Sequence, residues 1–316
     1  MNSKGCHGPS RPHPDETRSG FSMERLEPYR LQVDKALETW LPPAGTSPGA
    51  IHEAMRYSAM AGGKRVRPVL CLLTAEAFHV NLTLVSPFAV ALELVHAYSL
   101  IHDDLPCMDN SDFRRGRPSN HKVYGEALAV LAGDALLTEA FRVMVDGGRA
   151  VGLPDRVILD GISALSGAAS SRGLIGGQTL DLAAEGQDVD LFTLQTIHGG
   201  KTGALFKAAI LLGALPSDAT SDELSALDRF GDLLGQVFQI IDDVLDQIGD
   251  FESMGKTPHL DGLHEKATYV KLLGVEGASR AASQKAEEAV SLLEDLPDRE
   301  TGLLIDLIRF LPTRRA

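Results

Sequence analysis

Three cysteines, Cys6, Cys71 and Cys107, are all that the 316 residues hold. They are scattered and odd in number, with neither the paired spacing of a zinc site nor an even disulfide framework. A reducing, intracellular setting is the simplest reading. The sequence also lacks any run near ~18 uninterrupted apolar residues, the length a membrane-spanning helix needs, so no stable membrane insertion is expected. Basic charge is scarce as well. The 30 Lys and Arg stand against 43 Asp and Glu, a formal net charge of -13, and the pI is near 5.2. Nucleic acid and anionic membranes call for a basic face, which this balance disfavours. What is present, 44% hydrophobic and 23% charged residues with a mean hydropathy of -0.02, is the composition of a globular chain.

Residues 1–22 are rich in Gly, Pro, Ser and charge and carry no apolar run, so they are expected to be disordered. They lack the apolar core of a signal peptide, and Asp15 and Glu16 count against a plastid transit segment. A cytoplasmic protein is therefore expected, with the folded part beginning near Met23. From Glu24 onward apolar residues recur at intervals of three and four, and the breaks are short Gly or Pro clusters such as Pro42-Pro43-Ala44-Gly45 and Asp146-Gly147-Gly148. This pattern predicts one all-α domain over residues 23–316. Strongly apolar helices are expected over Phe88 to His102 and over 230–248.

Both of those helices carry carboxylates. On the second, Gln239, Asp242 and Asp246 fall at i, i+3 and i+7 and share one stripe of an otherwise apolar helix. A solvated helix edge is the competing reading for such a pair alone. The first helix ends in a second cluster, Asp103, Asp104 and Asp109, with His96, Ser99 and Asp103 again on one stripe. Six residues of straight helix would turn Asp109 about 240° away from Asp103. Pro106 lies between them and predicts a bulge or kink that brings Asp109 back to the Asp103 face. Two carboxylate clusters on core helices suggest metal held between facing helices, and all-oxygen donors favour magnesium over zinc or copper. Magnesium keeps waters and shares phosphate oxygens with its substrate, so a phosphate substrate follows.

Cations stand where such a substrate needs them. Gly62-Gly63-Lys64-Arg65-Val66-Arg67-Pro68 is a flexible turn with three positive charges, and Arg114-Arg115-Gly116 follows the first acidic cluster. Each basic group alone also fits a solvated face. Gly199-Gly200-Lys201-Thr202-Gly203 is not a Walker loop, because it lacks the leading Gly and follows no strand.

The segments GGKRVRP, HAYSLIHDDLPCMDNSDFRRGRP, LAGDALL, GGQTLDL, KTGALF, FQIIDDVLD, MGKT and EKATY, in this order between about Ile51 and Ala278, resemble the trans-isoprenyl diphosphate synthases. The resemblance implies a multi-helix bundle around a central active-site cavity, a magnesium-dependent prenyltransferase and a homodimer. Its substrates would be isopentenyl diphosphate and an allylic partner, dimethylallyl or geranyl diphosphate. By position, it implies that Asp103, Asp109 and Asp242 bind Mg2+. Asp104 and Asp246 would support them, and Asp243 completes the second motif. Arg114, Lys201 and Lys256 would hold the allylic diphosphate, with Lys266 adding charge nearby. Lys64, Arg67, His96 and Arg115 would hold isopentenyl diphosphate, and Thr202, Gln239 and Gln178 would lie nearer the reacting carbons.

Tyr98 and Ser99, one turn before the first acidic cluster, would form the floor of the growing-chain pocket. The bulk of Tyr98 favours farnesyl diphosphate, C15, as product. The CMDN stretch instead resembles plastid geranylgeranyl synthases, which make C20. A non-catalytic partner subunit would have lost an acidic cluster, and neither is lost. The chain departs from the family in reading His259-Leu260-Asp261 where Gly-Lys-Asp is usual, and Val270 where Pro is usual. Both changes bear on the loop that would close over the allylic diphosphate.

Overall fold

A computed structural model describes residues 21–248, 267–296 and 298–314. Helices α1 (Glu27–Trp40), α2 (Gly49–Ala59), α3 (Val66–Ala77) and α4 (Leu82–Asp103) lead to a two-residue antiparallel hairpin, β1 (Phe113–Arg114) and β2 (Arg117–Pro118). Next come α5 (Asn120–Tyr124), α6 (Glu126–Ala150), α7 (Asp155–Ala169), α8 (Leu174–Ala184) and α9 (Leu191–His198). A π-helical turn, Gly199–Gly203, joins α9 to α10 (Ala204–Ala214), which is followed by α11 (Ser221–Ile248), α12 (Tyr269–Glu294) and α13 (Gly302–Phe310). The fold is all-α, as the apolar spacing predicts, and the hairpin is the one β pairing among the described residues.

Helix α4 sits at the centre, with α3 and α6 packed along it. Its apolar residues spread around the helix rather than along one stripe, and most of them are buried. By length and composition it could cross a membrane, yet 72% of its most hydropathic window is buried inside the fold. It starts six residues before the expected Phe88, because Asn81 caps a first turn whose Leu82, Leu84 and Val85 extend the apolar pattern, accepting from the Thr83 N–H at 2.9 Å. Pro87 withholds the N–H that would bond the Thr83 carbonyl, and the Ser86 hydroxyl donates to that carbonyl at 2.9 Å instead. Helix α6 crosses α4 at close range over two glycines. A Cβ on Gly147 would lie 2.9 Å from Pro87 Cβ, and one on Gly133 would strike the His102 ring at 2.1 Å.

Helix α11 likewise starts earlier than the expected residue 230. Thr220 and Glu223 form a reciprocal capping box, with the Thr220 N–H on Glu223 Oε2 at 2.7 Å and the Glu223 N–H on Thr220 Oγ1 at 3.3 Å. Arg299 forks onto the same carboxylate, Nε at 2.5 Å and Nη2 at 3.0 Å. The Arg299 hydrogen bond, joined by the Thr220 amide, holds the Glu223 carboxyl down at about 2. A depressed carboxyl stabilises the fold above its unfolded pKa, and that contribution is lost as pH falls through the folded value. Between pH 5 and 2, wild-type protein should therefore lose more stability than Glu223→Gln; parallel pH–stability curves from denaturant unfolding would refute this.

Candidate active site

The first acidic cluster forms without the bulge expected at Pro106. Helix α4 stops at Asp103, Asp104 caps it, and the chain folds back so that the Asp109 N–H donates to the Asp103 carbonyl at 2.8 Å. Pro106 rides on the exposed crest of this return turn, where a missing N–H costs little. Asp109 thus reaches Asp103 through a helix end rather than a kinked continuation. Burial pushes the Asp103 carboxyl up to about 6; Lys201 opposes the shift, and Asp109 and Asp104 add to it. Asp104 points inward, 2% exposed, and takes a forked bond from Arg114, with Nε at 3.0 Å and Nη2 at 2.5 Å.

The turn before α3 is held in an unusual shape. Gly62, Gly63 and Arg65 all have positive φ, at 78°, 117° and 48°. Gly63 needs glycine twice over, since a Cβ there would also stand 2.8 Å from Arg115 Cζ. Arg115 donates through Nη1 to the Gly62 carbonyl, so this residue, expected on isopentenyl diphosphate, also braces the turn. Arg65 is 3% exposed, bonding Asp34 of α1 through Nε at 2.9 Å and Glu93 of α4 through Nη1. Lys64 and Arg67 emerge on either side of it, and both feel the carboxylate of Asp242. Burial lowers Arg67 to about 10, with Glu93 and Asp242 opposing. Its guanidinium lies 4.9 Å from the Phe206 ring centre, and Nη1 is 3.4 Å from His96 Nδ1. Burial, then the charge of Arg67, keeps His96 far below its usual pKa, so the ring is neutral and Nδ1 can accept.

The remaining site residues meet across a seam of glycines. A Cβ on Gly177 of α8 would lie 2.0 Å from the Lys201 backbone nitrogen, and one on Gly235 of α11 would lie 2.7 Å from Gly203 Cα. The π-helical turn is thereby pressed against two helices at once. Lys201 Nζ bonds Asp181 Oδ2 of α8 at 2.6 Å, and Thr202 Oγ1 donates to Gln239 Oε1 of α11 at 2.9 Å. Gln178 sits half-buried beside Gly177. Gly177→Ala should sharply lower both stability and activity, because backbone cannot retreat from the new methyl. Gly199→Ala, with nothing within 4 Å of its Cβ, should be neutral or stabilising. Equal melting temperatures for the two variants would refute the seam.

On α11, Gln239, Asp242 and Asp246 are half-buried on one stripe, while Asp243 is buried between them. Asp243 accepts from Gln239 Nε2 at 3.0 Å and from the Tyr269 backbone N–H at 2.7 Å. Tyr98 is enclosed, its ring edge-on to His102 with centres 5.8 Å apart, and Ser99 Oγ bonds the His96 carbonyl at 2.9 Å. Lys256, Lys266 and the His259-Leu260 departure lie outside the described residues. Val270 leaves the start of α12 intact, since Thr268 still caps it by accepting from the Lys271 N–H at 3.1 Å.

Sequence reasoning passed over Asp181 and Glu93, and it set Arg65 among the cations for a phosphate, whereas the structure buries Arg65 in ion pairs with Asp34 and Glu93. Asp181 stands three residues after Gln178 within GGQTLDL, and Glu93 is a lone acid in the apolar run of α4; each was a readable signal of a buried partner. The carboxylates fit a divalent cation by donor chemistry. They are all oxygen ligands, and the charge on Asp103 is disfavoured until something positive meets it. No three His, Cys, Asp or Glu are gathered into a closed cage among the described residues, and an ion that keeps waters and phosphate oxygens needs none.

The sequence matches the family model described as Polyprenyl synthetase over residues 48–300. It is 43% identical over 285 residues to a chloroplastic geranylgeranyl pyrophosphate synthase of Capsicum annuum, covering 90% of this chain and 76% of that protein. It is 42% identical over 287 residues to the chloroplastic heterodimeric geranylgeranyl pyrophosphate synthase large subunit 1 of Arabidopsis thaliana, covering 90% and 76%. The crystal structure of an FPP/GFPP synthase from Zymomonas mobilis superposes with a TM-score of 0.80 at 35% identity, over 92% of this chain and 98% of that one.

Proposed function

This chain belongs to the polyprenyl synthetase family and is a trans-prenyltransferase, and from that premise we propose that it condenses an allylic diphosphate with isopentenyl diphosphate to make geranylgeranyl diphosphate. The observation that carries the chemistry is the setting of each acidic motif against cations, Asp103 against Lys201 and Asp242 against Lys64 and Arg67. The C20 product is supported by the geranylgeranyl names of the similar plant proteins. It is also supported by the packing of Tyr98 on His102, whose Nε2 lies 3.1 Å from the Val130 carbonyl of α6. Farnesyl diphosphate is the second reading, favoured by the bulk of Tyr98 at the expected pocket floor.

Asp103, Asp109 and Asp242 would hold Mg2+, which supplies positive charge to the departing diphosphate. Arg114 and Lys201 add fixed positive charge on the same side, an arrangement that stabilises a leaving group without reorganisation. Lys64, Arg67 and neutral His96 would grip the diphosphate of isopentenyl diphosphate, with Arg115 bracing the turn that presents them. The apolar walls of α4 and α11 exclude water from an electron-poor allylic carbon. No side-chain base is called for, because the departed diphosphate can take the proton.

Apolar residues exposed on α6 and α7, among them Leu131 and Leu159, support pairing with a second copy through a two-fold interface. Light scattering would give a dimer mass, and a monomer would remove that part of the proposal. Cytoplasm and plastid are both compatible with this reading, since the similar plant proteins are named as chloroplastic.

The test of the reaction is to supply purified protein with magnesium, isopentenyl diphosphate and C5, C10 or C15 allylic diphosphate in turn, with a chelator control. Chelator-sensitive product ending at C20 is expected, and Tyr98→Ala should leave that length unchanged. Product ending at C15 that lengthens in Tyr98→Ala would replace C20 with the farnesyl reading. No condensation with any primer would overturn the reaction itself.

A further inference from the structure

The hairpin that carries Arg114 and Arg115 has little stability of its own to hold it in place. It consists of two residue pairs, Phe113 with Pro118 and Arg114 with Arg117, and so short a ribbon takes its position from what it docks on. Arg115 and Gly116 are the two residues of its loop, both at positive φ, 53° and 71°, as a tight type I′ turn requires. A cavity lies between the hairpin and α4, lined by Ala97 and Leu100 of the helix and by Arg114, Arg115 and Pro118 of the hairpin. On this side the ribbon is therefore tied by the Arg114–Asp104 bonds rather than by close packing.

Its other side is latched to α2. Ala54, Tyr57 and Ser58 lie at i, i+3 and i+4 on one face of that helix. Tyr57 Oη donates to the Pro118 carbonyl at 2.7 Å, and the Arg117 guanidinium carbon lies 4.2 Å from the centre of the Tyr57 ring. Asn120, at the start of α5, is 2% exposed, and its Nδ2 donates to the Ala54 carbonyl at 2.8 Å and to Ser58 Oγ at 2.9 Å. The orientation of an asparagine amide is ordinarily ambiguous from heavy-atom positions, but a carbonyl can only accept, so the nitrogen belongs on Ala54. The same helix runs on through Met60 and Ala61 into the Gly62-Gly63 turn, where the Gly62 carbonyl accepts from Arg115 Nη1. One helix thus sets both the turn and the hairpin, and Arg115 is where the two meet.

We propose that Asn120 and Tyr57 are positioning residues for the isopentenyl diphosphate site: by latching the hairpin to α2 they hold Arg115 on the Gly62 carbonyl, and through it the turn from which Lys64 and Arg67 project. The inference rests on the reading above that Lys64 and Arg67 grip isopentenyl diphosphate. Arg114 has its own tie to Asp104, so the allylic side should feel the latch less.

The experiment measures Kd for isopentenyl diphosphate and for an allylic diphosphate by calorimetry in magnesium, beside kcat, in wild type, Tyr57→Phe, Asn120→Leu, Arg115→Ala and Asn120→Leu combined with Arg115→Ala. Asn120→Leu keeps the volume and removes both hydrogen bonds; it should weaken isopentenyl diphosphate about 10-fold and the allylic diphosphate less than about 2-fold. Tyr57→Phe keeps the ring beside Arg117 and loses one hydrogen bond, and should weaken isopentenyl diphosphate about 3-fold. In the Arg115→Ala background Asn120→Leu should add less than about 2-fold, because the latch acts through the missing guanidinium. A residue that only supported the fold would weaken both ligands alike and add its full effect to that background. Unchanged affinity for isopentenyl diphosphate in either single variant, equal losses for the two ligands, or full additivity with Arg115→Ala would overturn the proposal. If Asn120→Leu does not fold, Tyr57→Phe alone and combined with Arg115→Ala decides by the same criteria. A wild-type protein that binds isopentenyl diphosphate but condenses nothing would overturn the reaction and leave the latch to be judged by these affinities, whereas no binding at all would overturn both.

Discussion

Asp103→Asn should cost turnover at least about 10³-fold, the scale of several kcal/mol of lost charge stabilisation in the transition state, and should at the same time make the metal-free protein more stable at pH 8. The two effects have one cause. Asp103 is ionised against burial and against the neighbouring charges of Asp109 and Asp104, which together hold its carboxyl up at about 6. A raised acid keeps its proton in the folded state at a pH where the unfolded chain has released it. Stability therefore falls as pH climbs from about 4 through 6, the direction that proton linkage gives when the folded state binds more protons. Asparagine cannot ionise, so this fall should be missing from the variant. Denaturant unfolding at pH 4, 6 and 8 in chelator, beside steady-state turnover in magnesium, reads both quantities. Near-normal turnover would remove Asp103 from the metal site, and an unchanged pH dependence of stability would refute the burden of burying this charge.

Much of this site was legible in the sequence because its parts are chemically conspicuous. A carboxylate stripe at i, i+3 and i+7 on an apolar helix predicts α11 with Gln239, Asp242 and Asp246 half-buried together, and the structure has that stripe. The sequence predicts the return of Asp109 to Asp103 but not its route. Helix periodicity says where a side chain points while the helix lasts, and α4 ends three residues before Pro106. The helix starts at Leu82 and Ser221 carry readable signals, since Asn81 and the Thr220–Glu223 box are caps and Leu82, Val85, Leu224 and Leu227 extend the apolar spacing back to them.

Least legible were contacts made by the absence of a side chain. Gly177 and Gly235 read in sequence only as small residues in helices, where glycine costs about 1 kcal/mol relative to alanine. Their value appears only when α8 and α11 are docked on the π-helical turn, with backbone where a methyl would be. That docking sets Thr202 on Gln239 and so links the GGKTG segment to the second acidic motif. The inward orientation of Asp243 belongs to the same class, because its partner is the backbone of Tyr269, and a backbone amide leaves no trace in residue identity.

Glu93→Ala should be the most destabilising single change at the basic turn, costing about 3–5 kcal/mol, the range for removing one partner of a buried ion pair. Glu93 is 1% exposed and Arg65 3%, and the substitution leaves the Arg65 guanidinium with only Asp34, a partly solvated partner, at 2.9 Å. Arg115 loses its nearest carboxylate as well, Nη2 being 3.8 Å from Glu93 Oε1. Pairing Glu93→Met with Arg65→Met should recover a large part of the loss, since apolar replacements of similar volume remove both desolvation costs together. Function should not recover with it. Arg65 anchors to α1 and α4 a turn whose Gly62 and Gly63 take positive φ, and Lys64 and Arg67 project from that turn. The double variant, folded but without the anchor, should therefore show a raised KM for isopentenyl diphosphate while KM for the allylic substrate changes less. Chemical unfolding of the three variants together with their KM values distinguishes the roles. A Glu93→Ala loss under about 1 kcal/mol would show the pair to be nearly neutral to stability, and an unchanged KM in the double variant would show that Lys64 and Arg67 keep their places without Arg65.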